Sequence, residues 1–208
     1  IFLSSIKVNG EINSSSNPFT AEDIPNPIGH YAISKYEAEK GLIKIANETN
    51  MEVVILRPVL VYGEDVKGNF ATLLKWIYNN LPIPISSIKN MRSLLSLNNL
   101  IEVIIICLTN NKAINQTFLV TDGFEISLFD LINRIAKFFN KKPFIVPINK
   151  KLLRFLFTAI GKKKIYNSFY ESQYVDISKT IKTLDWNPHG NQEISMKETL
   201  NSFLKKIK

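Results

Sequence analysis

Apolar positions along the chain fall into two patterns: short continuous runs, and stripes spaced three and four residues apart. The run Ile1-Phe-Leu-Ser-Ser-Ile6 predicts a strand buried on both faces and ended by Ser4 and Ser5. Such a strand needs neighbours, so the pattern predicts a chain that starts inside a sheet, with a portion upstream. A polar loop follows over 7–29, with Gly10, serines at 14–16 and prolines at 18, 25 and 27, and its length marks a functional or disordered segment. Over 30–48, Ala32, Ile33, Ala38, Leu42, Ile43 and Ile45 interleave with charge and predict a helix. Residues 52–56 predict a second buried strand ended by Arg57-Pro58, and Val59 to Gly63 continue extended into a turn. Strand, helix and strand with apolar strands is the pattern of a right-handed parallel βαβ unit.

Downstream, residues 68–79 predict a helix with Trp76 on its apolar side, stopped by Pro82 and Pro84. Residues 92–97 predict a short strand, and Asn98 or Asn99 is placed to cap a helix reaching Leu108. A strand over 116–121 ends at Asp122-Gly123, Ser127 caps a helix to Phe139, and 143–147 form a short extended segment. Helices are then expected at about 149–161, 177–184 and 195–206. The organisation is α/β throughout, with strands thinning out after residue 148.

Composition narrows the classes open to such a chain. Its 208 residues, 45% hydrophobic, suffice for one large or two small cores. The net charge of +8 is carried by lysine, with only four arginines. Nucleic-acid readers lean on arginine, so the basicity describes a solvated surface and no nucleic-acid partner is expected. The lone Cys107 excludes an intramolecular disulfide and sits in an apolar run, which suits a reducing cytoplasm. With His30 and His189 the only histidines, no metal site is predicted. The apolar runs at 100–108 and 152–160 are interrupted by Glu102 and Arg154 and are too short to span a bilayer. The basic-flanked amphipathic segment from Lys150 to Lys164 is expected to pack on a partner helix or a neighbouring domain rather than on a membrane surface.

The candidate chemistry lies at the start of the first helix. Tyr31 and Lys35 stand at i and i+4 on one face, where an ammonium favours a phenolate and suits proton exchange with a hydroxyl/ketone pair. The spacing alone is weak, because Tyr36 and Lys40 repeat it five residues on, rotated by about 140°. Ser5 favours the first pair. It ends a parallel strand, where open α/β sheets place their ligands, and Tyr31 opens the next helix on the same edge. There a serine hydroxyl can bond a substrate oxygen while Tyr31 exchanges its proton, as a hydride-transfer site for a nicotinamide requires.

At these residues the chain resembles the extended short-chain dehydrogenase/reductase family, in its NAD-dependent epimerase/dehydratase branch acting on nucleotide sugars. The matching pieces occur in order: Phe2-Leu-Ser-Ser-Ile-Lys-Val-Asn-Gly10, Tyr31-Ala-Ile-Ser-Lys35, Leu56-Arg-Pro-Val-Leu-Val-Tyr-Gly63, Arg92-Ser-Leu94 and Leu184-Asp-Trp-Asn-Pro188. The resemblance implies an α/β fold: the C-terminal part of a Rossmann-like doubly wound parallel sheet over 1–66, and a smaller, mostly helical substrate-binding region over 67–208 with 92–108 packing back on the first part. It implies Ser5, Tyr31 and Lys35 as catalytic residues, with Tyr31, Lys35, Pro58 and Val59 beside the cofactor, NAD or alternatively NADP. Arg92 would contact the pyrophosphate of a UDP-sugar and Asn69 the substrate side. The glycine-rich turn that opens such folds has no match here, which leaves independent NAD binding and turnover in question.

The resemblance also ranks reactions. A nucleotide-sugar dehydratase would carry an Asp-Glu pair directly after the catalytic serine, where Ile6 and Lys7 stand, so dehydration is disfavoured. What remains is 4-epimerisation, with reduction of a UDP-4-keto-6-deoxy-N-acetylhexosamine or a non-catalytic sugar-nucleotide-binding remnant as alternatives. The phrase from Ser4 to Glu11 looks like proteins of bacterial surface-polysaccharide pathways that handle UDP-N-acetylhexosamines. The apolar side of residues 32–45 is compatible with the homodimer such enzymes form.

Overall fold

Parallel pairing organises the first part of the chain. In the computed structural model, which describes residues 1–85, 90–161, 166–167, 170–190 and 192–207, β1 (Phe2–Leu3) and β2 (Ile55–Pro58) run parallel on either side of α1 (His30–Glu48) in sequence. The strand β6 (Thr117–Val120) pairs parallel with β2, giving the order β1-β2-β6. A second sheet holds β3 (Leu60–Tyr62) parallel to β5 (Met91–Ser96), and β5 antiparallel to β7 (Glu125–Ser127). A third pairs β4 (Ile83–Ile85) with β8 (Ile145–Pro147) in parallel. The remaining helices are α2 (Gly68–Tyr78), α3 (Leu97–Thr109), α4 (Leu128–Phe138), α5 (Lys150–Ala159), α6 (Ser178–Leu184) and α7 (Gln192–Ile207).

The first strand is shorter than its apolar run. Ser5 is extended at φ −159°, ψ 146°, and its Oγ accepts the Lys7 N–H at 3.3 Å, which caps a 3-10 turn over Ile6–Val8. Nor is β1 buried on both faces: Leu3 is 41% exposed, because β1 ends the sheet order. The second strand starts later than the apolar run that predicts it and continues through Arg57 and Pro58, since the ladder with β6 fixes its bounds. Trp76 points outward at 41% exposure, and the buried face of α2 is Phe70, Leu73, Leu74 and Ile77. Ser96, not Asn98 or Asn99, caps α3 by accepting the Asn99 N–H at 3.3 Å.

Two apolar clusters result. One joins β2, β6, α3 and α6 through Val54, Leu56, Leu100, Val103, Phe118, Leu184 and Trp186. The other joins α2, β4, α4, α5 and α7 through Phe70, Leu74, Ile83, Ile132, Leu153 and Phe203. At about 1.5–3 kcal/mol for each large side chain fully buried, these clusters carry the fold. Where β3 turns toward α2, Gly63 approaches α3 so closely that a Cβ would lie 2.5 Å from Leu97 Cβ.

The long loop over 7–29 is stitched down. Asn13 and Tyr174 exchange two hydrogen bonds, Nδ2 to carbonyl at 2.7 Å and N–H to Oδ1 at 2.8 Å. Phe19 donates its N–H to the Tyr174 carbonyl at 3.0 Å and accepts at its own carbonyl from Asp176 at 2.9 Å. Asn9 Nδ2 reaches the Thr20 carbonyl at 2.7 Å. A segment fastened at both ends presents fixed side chains beside the Ser5 turn.

Candidate active site

Ser5 leaves β1 just beyond the last ladder contact, where the Ser4 N–H donates to the Leu56 carbonyl at 2.7 Å. The α1 helix begins at His30 behind Gly29, whose φ of 84° turns the chain into it. Tyr31 is its second residue and 56% exposed, so the ring is open to a ligand. Lys35, one turn on, donates from Nζ to the Leu3 carbonyl at 2.8 Å and lies 4.8 Å above the Phe2 ring. The Tyr31/Lys35 face of α1 is thereby held to the end of β1, two residues ahead of Ser5. The rival pair is spent on itself: Lys40 Nζ sits 5.0 Å over the Tyr36 ring.

A buried ionic knot that sequence reasoning missed lies behind this face. Arg57 Nε and Nη2 grip the two Glu39 oxygens at 2.9 and 2.6 Å, and Nη1 donates to Asn9 Oδ1 at 3.0 Å. Glu39 is one turn beyond Lys35 on α1, Arg57 precedes Pro58 on β2, and Asn9 closes the turn that begins at Ser5. One fork therefore fixes helix, strand and serine turn relative to one another. The available signal was the periodicity: Tyr31, Lys35 and Glu39 follow each other at i, i+4, i+8. Pro58 pairs with Val120, and the Val59 N–H donates to the Val120 carbonyl at 3.3 Å, which locks this backbone at the end of β2.

Arg92 on β5 is half-buried, with Nη1 on the Asn167 carbonyl at 3.2 Å and Nη2 on Gln173 Oε1 at 3.4 Å. Burial pushes its guanidinium down to about 10, opposed by the charges of Glu11 and Glu171. Asn167 Nδ2 in turn donates to Glu11 Oε2 at 2.8 Å, which ties the arginine to the loop following Ser5. Asn69 is half-buried as the second residue of α2. A second unforeseen node is Asp122: Oδ1 accepts the Ser96 N–H at 2.8 Å and Asn99 Nδ2 at 2.7 Å, and Oδ2 accepts the Tyr62 hydroxyl at 2.9 Å. Burial first, then the Asp122 charge, raises the Tyr62 hydroxyl well above the usual phenol range. The sequence offers Asp122 only as the end of a strand.

Clefts of about 510 and 620 Å³ lie elsewhere, one lined by Asn99, Glu102 and His189, the other by Phe124, Arg134 and Met196. Neither is lined by Ser5, Tyr31 or Lys35. In the first, Glu102 accepts from both His189 Nε2 and Trp186 Nε1 at 2.8 Å. Among the described residues, no cluster of three or more His, Cys, Asp or Glu could hold a metal ion. No helix among them is long and apolar enough to cross a membrane.

Mixed α/β layers with parallel sheets, and a Ser turn facing a Tyr-x-x-x-Lys helix, define a Rossmann-like protein of the short-chain dehydrogenase/reductase type. The model of the NAD dependent epimerase/dehydratase family matches residues 1–120, and the chain belongs to that family. It is 40% identical over 205 residues to a UDP-glucose 4-epimerase of Vibrio cholerae, covering 98% of this chain and 62% of that protein. It is 30% identical over 145 residues to the N-acetyl-alpha-D-glucosaminyl-diphospho-ditrans,octacis-undecaprenol 4-epimerase of Escherichia coli O157:H7, covering 68% of this chain and 43% of that one. The crystal structure of a Bacillus cereus UDP-glucuronic acid 4-epimerase in complex with NAD superposes with a TM-score of 0.78 at 18% identity, over 99% of this chain and 61% of that one. The chain thus spans less than two thirds of the length of each of these proteins.

Proposed function

We propose that this chain carries the acid/base and substrate-side machinery of a nucleotide-sugar 4-epimerase that works through a 4-keto sugar, with a UDP-sugar as substrate. In this reading Tyr31 is the proton donor and acceptor, Lys35 supports it, and Ser5 hydrogen-bonds the reacting oxygen. The observation that carries it is the 2.8 Å bond from Lys35 Nζ to the Leu3 carbonyl, which fastens the Tyr31 face to the strand end bearing Ser5. The two curated 4-epimerases among its relatives support the reaction type. Residues 1–66 would then serve the cofactor and 67–208 the sugar nucleotide, through Arg92 and Asn69. The exposed Ile33, Ile43 and Ile45 support homodimer packing through α1.

The residues fit a nicotinamide dinucleotide on this side. An ammonium has three N–H donors, and Leu3 takes one from Lys35, leaving donors for ribose hydroxyls. When bound, NAD, or alternatively NADP, supplies a reversible acceptor for the C4 hydride. Tyr31 takes the 4-hydroxyl proton as the C4–H bond breaks, and Ser5 holds the oxygen as it becomes a carbonyl. On return of the hydride to the opposite face, Tyr31 gives the proton back. No atom is gained or lost, and C4 is inverted.

The test is turnover of a UDP-sugar by the chain supplied with NAD. Tyr31→Phe is expected to lower it by about 10²–10⁴-fold, and Tyr36→Phe to leave it near the parent level. Equal losses at the two positions would overturn the assignment. Substrate deuterated at C4 separates the 4-ketoreductase alternative, because an epimerase returns the label to C4.

A further inference from the structure

We propose that α5 seats the protein on the surface of an anionic phospholipid bilayer. This inference is independent of the reaction assigned above. The inner face of α5 is satisfied: Leu153 is 1% exposed, and the Phe157 ring packs at 6.1 and 5.9 Å from the rings of Tyr166 and Tyr170. The outer face is not. Leu152, Phe155, Leu156 and Ile160 are 52%, 68%, 44% and 63% exposed. At 100° per residue they fall on one arc of about 140°, a continuous apolar ridge rather than scattered side chains.

Charge identifies the occupant. The chain from Lys150 to Ile160 contains Lys150, Lys151 and Arg154 and no acidic residue. Lys150 and Lys151 occupy the first turn behind the Asn149 cap, where the helix dipole disfavours cations. In water, then, this helix carries two local costs, an uncovered apolar ridge and cations at its positive end. An anionic bilayer relieves both, taking the ridge below its headgroups while Lys151 and Arg154 extend to lipid phosphates. A neutral protein groove would relieve only the first. The docked face is also close to the proposed substrate arginine, since Asn167, next to Tyr166, accepts from Arg92 at 3.2 Å.

Co-sedimentation of the 208-residue chain with vesicles of phosphatidylcholine alone, or mixed with phosphatidylglycerol, tests this at low and high salt. Binding to the mixed vesicles at low salt is expected to exceed binding to the neutral ones by at least about tenfold and to fall with salt. The pair Phe155→Ser and Leu156→Ser should cut it about tenfold or more. The pair Lys151→Glu and Arg154→Glu, which leaves the ridge and the inner face untouched, should cut it at least as far. Ile194→Ser, at an exposed apolar position on α7, should change nothing. Equal binding to both vesicle types overturns the proposal, as does binding indifferent to the α5 variants. Self-association in the absence of lipid that the serine pair abolishes, with no vesicle binding, would assign the ridge to a second copy instead.

Discussion

At the scale of single residues, the Glu39–Arg57 pair shows how burial decides the value of a charge contact. Glu39 is 1% and Arg57 5% exposed, and the fork leaves neither charge to solvent. Removing one partner strands the other in a low-dielectric interior, so Glu39→Gln is expected to cost about 3–5 kcal/mol. The surface pair Lys44–Glu48, at 3.8 Å on the same helix, is worth about 0.5 kcal/mol or less. Urea unfolding of Glu39→Gln beside Glu48→Gln measures the contrast; comparable midpoints would mean the fork contributes no more than a surface pair. Because the fork also holds Asn9, the Glu39 variant should loosen the Ser5 turn, read as faster amide exchange over 5–9. Nothing local announces this pairing: Glu39 looks like one more charge on a charged helix, and its partner is eighteen residues away on a strand.

At the scale of elements, the legible ones are those whose signal lies inside their own sequence. The α1 helix carries its whole apolar and charged alternation, and α4 carries its start signal, since Ser127 Oγ accepts the Asp130 N–H at 3.0 Å and donates to Asp130 Oδ2 at 2.6 Å. Ser127→Ala removes both bonds and is expected to cost about 1 kcal/mol, with Asp130→Ala costing less because the cap bond to its N–H survives; thermal unfolding of the two variants checks the order. Elements defined by a partner are the illegible ones. The strands β4 and β7 are three residues long, and β4 contains Pro84, so no period could declare them; they exist because Val146 and Arg92 offer backbone to pair with. The cap of α3 was misplaced for a related reason. Asn99 looks like a capping residue, but its side chain is drawn to Asp122 at 2.7 Å, and Ser96 takes the cap. In the candidate site, Ser5, Tyr31 and Lys35 were legible as a spacing, whereas Asn9, Glu39 and Asp122 needed the fold to bring their partners.

At the scale of the whole molecule, the two apolar clusters each hold an ionisable group in its neutral form, and this sets how stability responds to alkali. Burial pushes the Cys107 thiol up to about 11 in the cluster under α3, and burial with the neighbouring Tyr166 pushes Tyr170 up to about 12 in the other. Tyr62, between Phe70 and Asp122, is raised as well. Each group keeps its proton longer folded than unfolded, so the unfolded chain binds fewer protons at high pH and stability falls as pH rises. The loss starts as the unfolded thiol titrates near pH 9 and the unfolded phenols near 10, and for Cys107 and Tyr170 it ends as the folded values are passed near 11 and 12. A gap of this size is worth about 3 kcal/mol for each buried group, a large part of the 5–15 kcal/mol typical of a domain. Denaturant midpoints measured from pH 8 upward are therefore expected to be level to about pH 9 and to drop steeply beyond it. Cys107→Ala should lower the midpoint at pH 8 through lost packing and yet shallow the drop between about pH 9 and 11, because the thiol's share of the linkage is gone. An unchanged slope in that variant would place the thiol in water, contrary to its position in the core. Native-state alkylation of the single cysteine reports the same burial, since a thiol held protonated beneath α3 should react only through opening and should quicken in urea below the unfolding midpoint.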